Sequence, residues 1–451
     1  MDYPSSKLSK SKRRIILIIF VVSFFVISPI IILYTSGYRY DWHYGLLKET
    51  GAINIDILPN NASIYIDGLL IESKMPIKLN NRPPGKYNIK ITAPGYYDWQ
   101  KDIEVKRKQT VYIKGISLLK KNEPSILFET DLNNFSLSYD NRYVAYSVWK
   151  NKQTEVYIKD LSGKQENKML LNLPGEKTIK IVWDLSNYFL IISDDESPHN
   201  LVYIINVDEP EKILDLVKQT RYPIVKYQWK ESDEPELFFS TKLKIMTILP
   251  RLGQQYTLGK NNFLDWYIAE NGRMWTMQIV SSTNKFQITE DTLGFNSIFW
   301  EEQITSQMET KLKFVAINQK RILLKKPDMS EMVILTKDKK FNISGEQNAI
   351  SIYNNWWLIW TPWEIWTHSE NEEPYLLTRS GEQLQQIVPL DRYNTLALVW
   401  EDKTSILFPY YLVSHNLLNY KIKDAVADPK KKIFYFIATI NNQKGLWQLF
   451  Y

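Results

Sequence analysis

Residues 143–161 read YVAYSVWKNKQTEVYIKDL. A run apolar on both faces is followed by a polar turn and then by a second run alternating at a period of two. That is a buried strand leading through a hairpin into a half-buried one. The same unit returns along the chain. Its apolar strand recurs at 188–193 (YFLIIS), 236–240 (ELFFS), 273–280 (RMWTMQIV), 321–325 (RILLK), 356–360 (WWLIW), 395–400 (TLALVW) and 432–438 (KIFYFIA). Taken from their second residues, the starts lie 35 to 48 residues apart, about 41 on average. The partner strand is plain at 200–207 (NLVYIINV), 364–368 (EIWTH) and 445–450 (GLWQLF). A period near 40–45 with several strands per unit is the mark of propeller blades. Each blade alone would expose apolar surface, so the array is stabilised by closing into a ring.

Eight units can be counted over 122–451, although 262–345 repeats less regularly, so seven or eight blades are expected. The last unit reaches Tyr451 without an outer strand, and 125–129 (SILFE) can supply it by joining the two ends of the region. A tandem of β-sandwiches is the alternative architecture. The turns Ser138-Tyr139-Asp140-Asn141 and Asp428-Pro429-Lys430-Lys431 resemble the repeat of TolB-like propellers, with Tyr139 and Asn141 in place of its usual Pro and Gly.

Upstream, residues 51–120 show short alternating strands with strong punctuation. Ile53, Ile55 and Ile57 alternate, and Pro59-Asn60-Asn61-Ala62 breaks the run. Ile64 and Ile66 follow and end at Asp67-Gly68, a hairpin dipeptide. This pattern predicts a small β-sandwich. The order Pro59-x-x-Ala62, Asp67-Gly68, Pro76, Pro84-Gly85-x-Tyr87 and Gly95-Tyr96-x-x-Trp99 resembles a PEGA domain, with Asn60 and Asn61 replacing the Glu and Gly of the naming tetrapeptide. The resemblance implies an extracytoplasmic β-module of the kind found in bacterial envelope proteins, in which these residues are structural.

The N-terminus reads differently. Residues 15–34 (IILIIFVVSFFVISPIIILY) carry no charge over twenty positions. At 1.5 Å per residue a helix of that length spans about 30 Å, the hydrocarbon thickness of a bilayer. A transmembrane helix over 15–35 is therefore expected, with Pro29 as a tolerated kink. Lys7, Lys10, Lys12, Arg13 and Arg14 precede it against Asp2 alone, which makes 1–14 a basic cytoplasmic tail. Residues 36–50 would be juxtamembrane, with Tyr38, Tyr40, Trp42 and Tyr44 at headgroup level. A cleaved signal ending near Thr35-Ser36-Gly37 is the competing reading, but the apolar run exceeds the usual h-region. The protein is thus expected to be a single-pass membrane protein, all-β beyond its helix.

Charge and composition limit the chemistry. The formal charge is +6, of which +4 lies in residues 1–14, so no nucleic-acid partner is expected. The absence of cysteine excludes disulfides, thiolate zinc ligands and thiol nucleophiles. No nucleophile elbow, zinc helix, phosphate loop or dinucleotide fingerprint is present. No catalytic, cofactor or metal residues are therefore assigned. His43, His199, His368 and His415 stand in different units and read as loop or surface residues. Asp194-Asp195-Glu196 reads as a solvated turn. In 354–366 (NNWWLIWTPWEIW), Trp356, Leu358 and Trp360 share one face and Trp357 and Ile359 the other, which marks a core strand. Trp363, after Pro362 in the hairpin connection, is the candidate for stacking on a sugar or peptide.

These observations point to a non-catalytic, membrane-anchored, extracytoplasmic envelope protein. Its propeller would be a platform for a protein, peptide or glycan, and the PEGA-like module a spacer. The alternatives are an envelope glycoside or other hydrolase with its site in the propeller mouth, and a structural surface-layer or stalk component. The topology makes a direct prediction. A reporter fused after Tyr451 should be cleaved by protease added to intact spheroplasts, while the full-length chain stays with membranes through a carbonate wash. Protection of the reporter would reverse the sidedness.

Overall fold

The structure is a computed structural model, and it describes residues 10–41, 46–71, 75–163, 166–194, 200–292, 295–304, 312–318, 320–326, 331–345, 348–352, 356–369, 372–392 and 394–451. The chain divides into two compact units, Met1–Asn122 and Glu123–Tyr451.

In the first unit, helix α1 (Lys10–Thr35) contains Pro29, and an 18-residue stretch within Ser11–Thr35 has a mean hydropathy of 3.2 with no part buried. It is long and apolar enough to cross a bilayer. Its last turn leaves carbonyl oxygens without helical partners. Arg39 supplies one donor: its Nη1 bonds the carbonyl of Tyr34 at 2.6 Å, and its guanidinium lies 3.7 Å above the Tyr34 ring. Strands β1 (Tyr38–Asp41) and β2 (Leu46–Glu49) then form an antiparallel hairpin. Residues 36–50 are thus ordered as a hairpin where they are described; His43, Trp42 and Tyr44 lie outside the described residues.

The hairpin is tied to the sandwich behind it. Thr50 N–H donates to Gly37 O at 2.9 Å and Lys108 N–H to Thr50 O at 3.0 Å. Lys108 Nζ reaches Tyr38 Oη and Glu49, each at 3.1 Å. The sandwich has β3 (Gly51–Leu58), β4 (Ser63–Ile66), β5 (Leu69–Ile71), β6 (Ile77–Arg82), β7 (Gly85–Thr92), β8 (Trp99–Val105) and β9 (Thr110–Ser117). One sheet runs β6-β3-β9 and the other β5-β4-β7-β8. The alternating isoleucines face inward, and Ile53, Ile55, Ile64, Ile89, Ile91 and Trp99 are completely buried.

Among the described residues the second unit has eight four-stranded antiparallel sheets, so the ring has eight blades rather than seven. Blade 1 covers 132–174, blade 2 180–215, blade 3 226–260, blade 4 265–303, blade 5 313–344, blade 6 348–379 and blade 7 384–418. Blade 8 takes three strands from 422–450 and its outer strand, Ser125–Glu129, from the start of the unit. The described residues of 262–345, a stretch irregular in sequence, form two ordinary blades. Each apolar run found in the sequence is the second strand of its blade, flanked on both sides within the sheet and covered on both faces. Clusters of buried side chains join blades 1 to 2, 2 to 3, 3 to 4, 4 to 5, 5 to 6 and 6 to 7. Another joins blade 8 to blade 1, through Ile433, Tyr435, Ile437 and Leu446 against Val144, Tyr146 and Val148.

Side-chain amides reinforce the inner ring. Gln228 donates to Ile268 O at 2.7 Å and accepts from Ile268 N–H at 3.0 Å, bridging blades 3 and 4. Gln386 makes the same pair with Ala425, at 2.9 and 3.1 Å, between blades 7 and 8. Each glutamine continues the backbone pairing across a gap the strands leave open.

Closure requires close backbone approach. A Cβ at Gly445 would meet Phe128 O at 2.3 Å, whereas at Gly381 it would meet nothing within 4 Å. Gly445→Val should therefore cost about 1–3 kcal/mol in urea denaturation of the full chain, as overpacking generally does. Gly381→Ala should stay within about 0.5 kcal/mol of the parent. Equal stability of the two variants would mean that the terminal strand does not close the ring.

Candidate functional site

Because blade strands are antiparallel, the start of every second strand and the end of every third lie on one rim. On that rim a cavity of about 210 Å³ opens between blades 6 and 7. Its position follows from the tryptophan-rich strand Trp356–Trp360. Leu358 and Trp360 descend into the core between these blades, against Leu384, Leu396 and Leu398. Trp356 sits on the same face at the strand's first position, where the core ends, and is only half-buried. It therefore lines a cleft and is not the core residue that the alternation implied.

From blade 7, Tyr410 projects in the link between Thr404–Phe408 and Val413–Leu418 and is 76% exposed. Its ring lies 6.2 Å from that of Trp356 at 25°. Tyr375 and Leu412, both exposed, complete the apolar lining. The polar groups are few. Glu372 accepts a hydrogen bond from Ser369 Oγ at 2.9 Å. The Thr367 hydroxyl lines the cavity, is buried and has no hydrogen-bond partner among the described residues. A buried hydroxyl is nearly always satisfied, so this one keeps unused hydrogen-bonding capacity at the edge of the cavity.

The strand Glu364–His368, which brings Thr367 to the cleft, turns its next residue the other way. His368 pairs in register with Trp357 and is 1% exposed, not the loop or surface residue expected from the sequence. Arg321, fully buried at the start of a blade 5 strand, donates from Nη1 to His368 Nδ1 and to His368 O, each at 2.8 Å. Its guanidinium lies 4.3 Å from the Trp357 ring centroid. A donating guanidinium requires a lone pair on Nδ1, so the imidazole is neutral. Burial, with the Arg321 charge second, brings its pKa down to about 4.

Past Glu372, which lines both spaces, a second and more polar cavity of about 540 Å³ runs over blades 4 and 5, lined by Lys320, Thr336, Lys337, Asp338 and Lys339 among others. Elsewhere on this rim, Glu231 and Glu270 stand in the first loops of blades 3 and 4. Burial and the charge of Glu270 raise the Glu231 carboxyl above its usual range, and Tyr267 is pushed up to about 12, chiefly by burial. Among the described residues no group of three or more His, Asp or Glu side chains could hold a metal.

Trp363 is 52% exposed in the turn between the second and third strands of blade 6. That turn is on the opposite rim, so Trp363 does not join the cleft. His415 is half-buried on the outer strand of blade 7, edge-on to Phe408 at 6.2 Å, and is not in a loop. Asp194 is not solvated: it ends a buried strand and pairs with Lys177 at 2.7 Å. His199, Asp195 and Glu196 lie outside the described residues. Of the basic cluster, Lys12, Arg13 and Arg14 are exposed on α1, Lys10 begins that helix, and Lys7 is outside the described residues.

In the sandwich, the punctuating residues hold turns. Ala62 N–H closes a turn onto Pro59 O at 3.1 Å, next to the cis Leu58–Pro59 bond; Met75–Pro76 is also cis. Asp67 and Gly68 take φ of 50° and 81°, the geometry a two-residue hairpin requires. Tyr87 Oη donates to Pro83 O at 2.7 Å, fastening the turn through Pro84 and Gly85. Gly95 has φ 77°, Tyr96 N–H bonds Ala93 O, and Trp99 fills the core. Residues 50–117 match the PEGA domain. The match begins one residue before the sequence boundary and ends on the last residue of β9. The hairpin of β1 and β2 lies outside the PEGA domain, yet Gly37 at its foot is hydrogen-bonded to the domain's first residue.

No curated protein matches the chain. The propeller is similar to solved propellers. The Cps50 (Swd1) β-propeller domain of Myceliophteria thermophila covers 72% of this chain and 100% of its own, at 9% identity and TM-score 0.40. The Dos1 propeller covers 72% and 94%, at 11% and 0.46. A catalytically inactive virginiamycin B lyase from Staphylococcus aureus, solved with quinupristin, covers 60% and 94%, at 12% and 0.36.

The buried histidine sets a pH dependence. An exposed, unfolded His titrates near 6.5, whereas His368 in the folded protein titrates at about 4. Between these values the unfolded chain takes up a proton that the folded chain refuses, so stability falls as pH falls. Above about pH 6.5 this contribution is complete and flat. Urea midpoints measured from about pH 7.5 to about pH 4.5 should drop more steeply for the parent than for His368→Gln. Parallel curves would show that His368 titrates normally.

Proposed function

We propose that this protein is a non-catalytic binding protein anchored in the membrane by α1, with the PEGA module as spacer and the propeller outside the cytoplasm. The observation that carries the reading is the cleft between blades 6 and 7. There Tyr375 and Tyr410 are exposed and Trp356 half-buried, beside a buried hydroxyl without a partner among the described residues, while Trp357 and Trp360 of the same strand as Trp356 are packed away. Exposed aromatic surface with a few convergent polar groups is the usual composition of a ligand site. The basic residues before α1 and the extracytoplasmic character that a PEGA module implies support the same orientation.

The test uses full-length, detergent-solubilised protein as bait against a detergent-solubilised envelope fraction, with chemical cross-linking. Retention of an envelope component should fall roughly ten-fold for Tyr410→Ala, equivalent to about 1.4 kcal/mol. Trp363→Ala, on the opposite rim, should retain as the parent does. Loss with Trp363→Ala alone would move the site to the other rim. Self-association with no retained component would overturn the reading in favour of a structural stalk.

A further inference from the structure

The chemistry of the blade 6–7 cleft narrows its ligand, on the premise that the cleft is a binding site. We propose that it holds one ring of a saccharide chain, whose next residues continue past Glu372 into the adjoining polar cavity.

The aromatic geometry comes first. Trp356 and Tyr410 are near-parallel with centroids 6.2 Å apart. Rings stacked at this separation leave no room between them for a cation, so these two do not cage a quaternary ammonium. Backed by the half-buried Trp356, Tyr410 is 76% exposed and presents the platform across which a ligand lies. Two kinds of flat ligand with axial C–H groups suit such a platform: a sugar ring and a proline ring.

The polar groups discriminate between them. Glu372 is exposed and, as a carboxylate, only accepts hydrogen bonds. A proline-rich peptide offers carbonyl acceptors and few donors, and would leave that carboxylate unmatched. A sugar offers a hydroxyl donor at nearly every carbon. The Thr367 hydroxyl, which is buried and without a partner among the described residues, can donate or accept, and a sugar hydroxyl satisfies it either way.

Size and continuity supply the rest. At about 210 Å³ the cleft is smaller than the ~300–1,000 Å³ pockets that enclose drug-sized ligands, which suits one ring at a time. Glu372 also borders the cavity of about 540 Å³. There Lys337, Asp338 and Lys339 alternate donors with acceptors, a lining suited to hydroxyls and without the uniform sign that a highly charged polymer would require. The two spaces together take a chain, not a single sugar.

The experiment titrates full-length solubilised protein calorimetrically with cello-, manno- and chito-oligosaccharides of one to six residues, and with a proline-rich peptide. Affinity for at least one series should rise with length beyond the monosaccharide. It should fall roughly ten-fold or more in Tyr410→Ala, as expected when a stacking ring is lost. Thr367→Val gives a readout that a packing role would not. Replacing an unsatisfied buried hydroxyl by a methyl leaves the free protein as stable or more so, while saccharide affinity drops. If the peptide binds and no saccharide does, or if affinity ignores both chain length and Thr367, the inference is wrong. A protein that retains an envelope partner through Tyr410 but binds no saccharide in any series would overturn this inference alone and leave the binding reading standing.

Discussion

A β-sheet whose second strand is apolar on both faces has no stable solitary state. Each such strand in this protein, from Tyr143–Lys150 to Ile433–Ile440, must be covered above and below by neighbouring blades. Burying one Leu, Ile, Val or Phe side chain is worth about 1.5–3 kcal/mol, and the clusters between blades each contain several such residues. A linear array would leave both terminal faces exposed, so the first and last blades must meet. They do so through Val144, Tyr146 and Val148 packed on Ile433, Tyr435, Ile437 and Leu446. The strand Ser125–Glu129, added to the last sheet, completes the closure. Where the clefts of the ring open follows from this packing.

Closure also explains the polar groups at the inner ring. Where neighbouring inner strands diverge, backbone groups would be left without partners at some depth, and unpaired buried backbone is costly. Gln228 and Gln386 satisfy those groups with side-chain amides that imitate a strand. Lys226 plays a related part between blades 3 and 4, reaching Asp265 at 2.9 Å. The first unit uses the same device at its entrance. There Arg39 caps the end of α1, and Lys108 joins Tyr38 and Glu49, so hydrogen bonds link the helix to the hairpin and the hairpin to the PEGA module.

The cleft lies where this packing logic runs out. Along Trp356–Trp360 one face is core for two residues and solvent-facing for the third, because blades 6 and 7 separate toward the rim. Behind it, the buried Arg321 and neutral His368 fill the opposite face of the same blade, so the wall that carries Thr367 is held from both sides. Under the binding reading proposed above, a wall held in this way would lose little conformational freedom when a ligand bound against it.

The sequence alone determined the period, the strands and the apolar helix, because burial on both faces and twenty uncharged residues leave direct marks in residue order. It also determined the turns of the PEGA module, since Asp67-Gly68 and Pro94-Gly95 need backbone conformations that few residues adopt. Only the tertiary structure decided that the blades number eight, that Trp356 lines a cleft while Trp363 stands on the far rim, and that His368 and Asp194 are buried. Those properties depend on which side chains from distant blades arrive at the same place. Trp356 and Tyr410 are 54 positions apart in the chain, and nothing in either local pattern records that their rings meet.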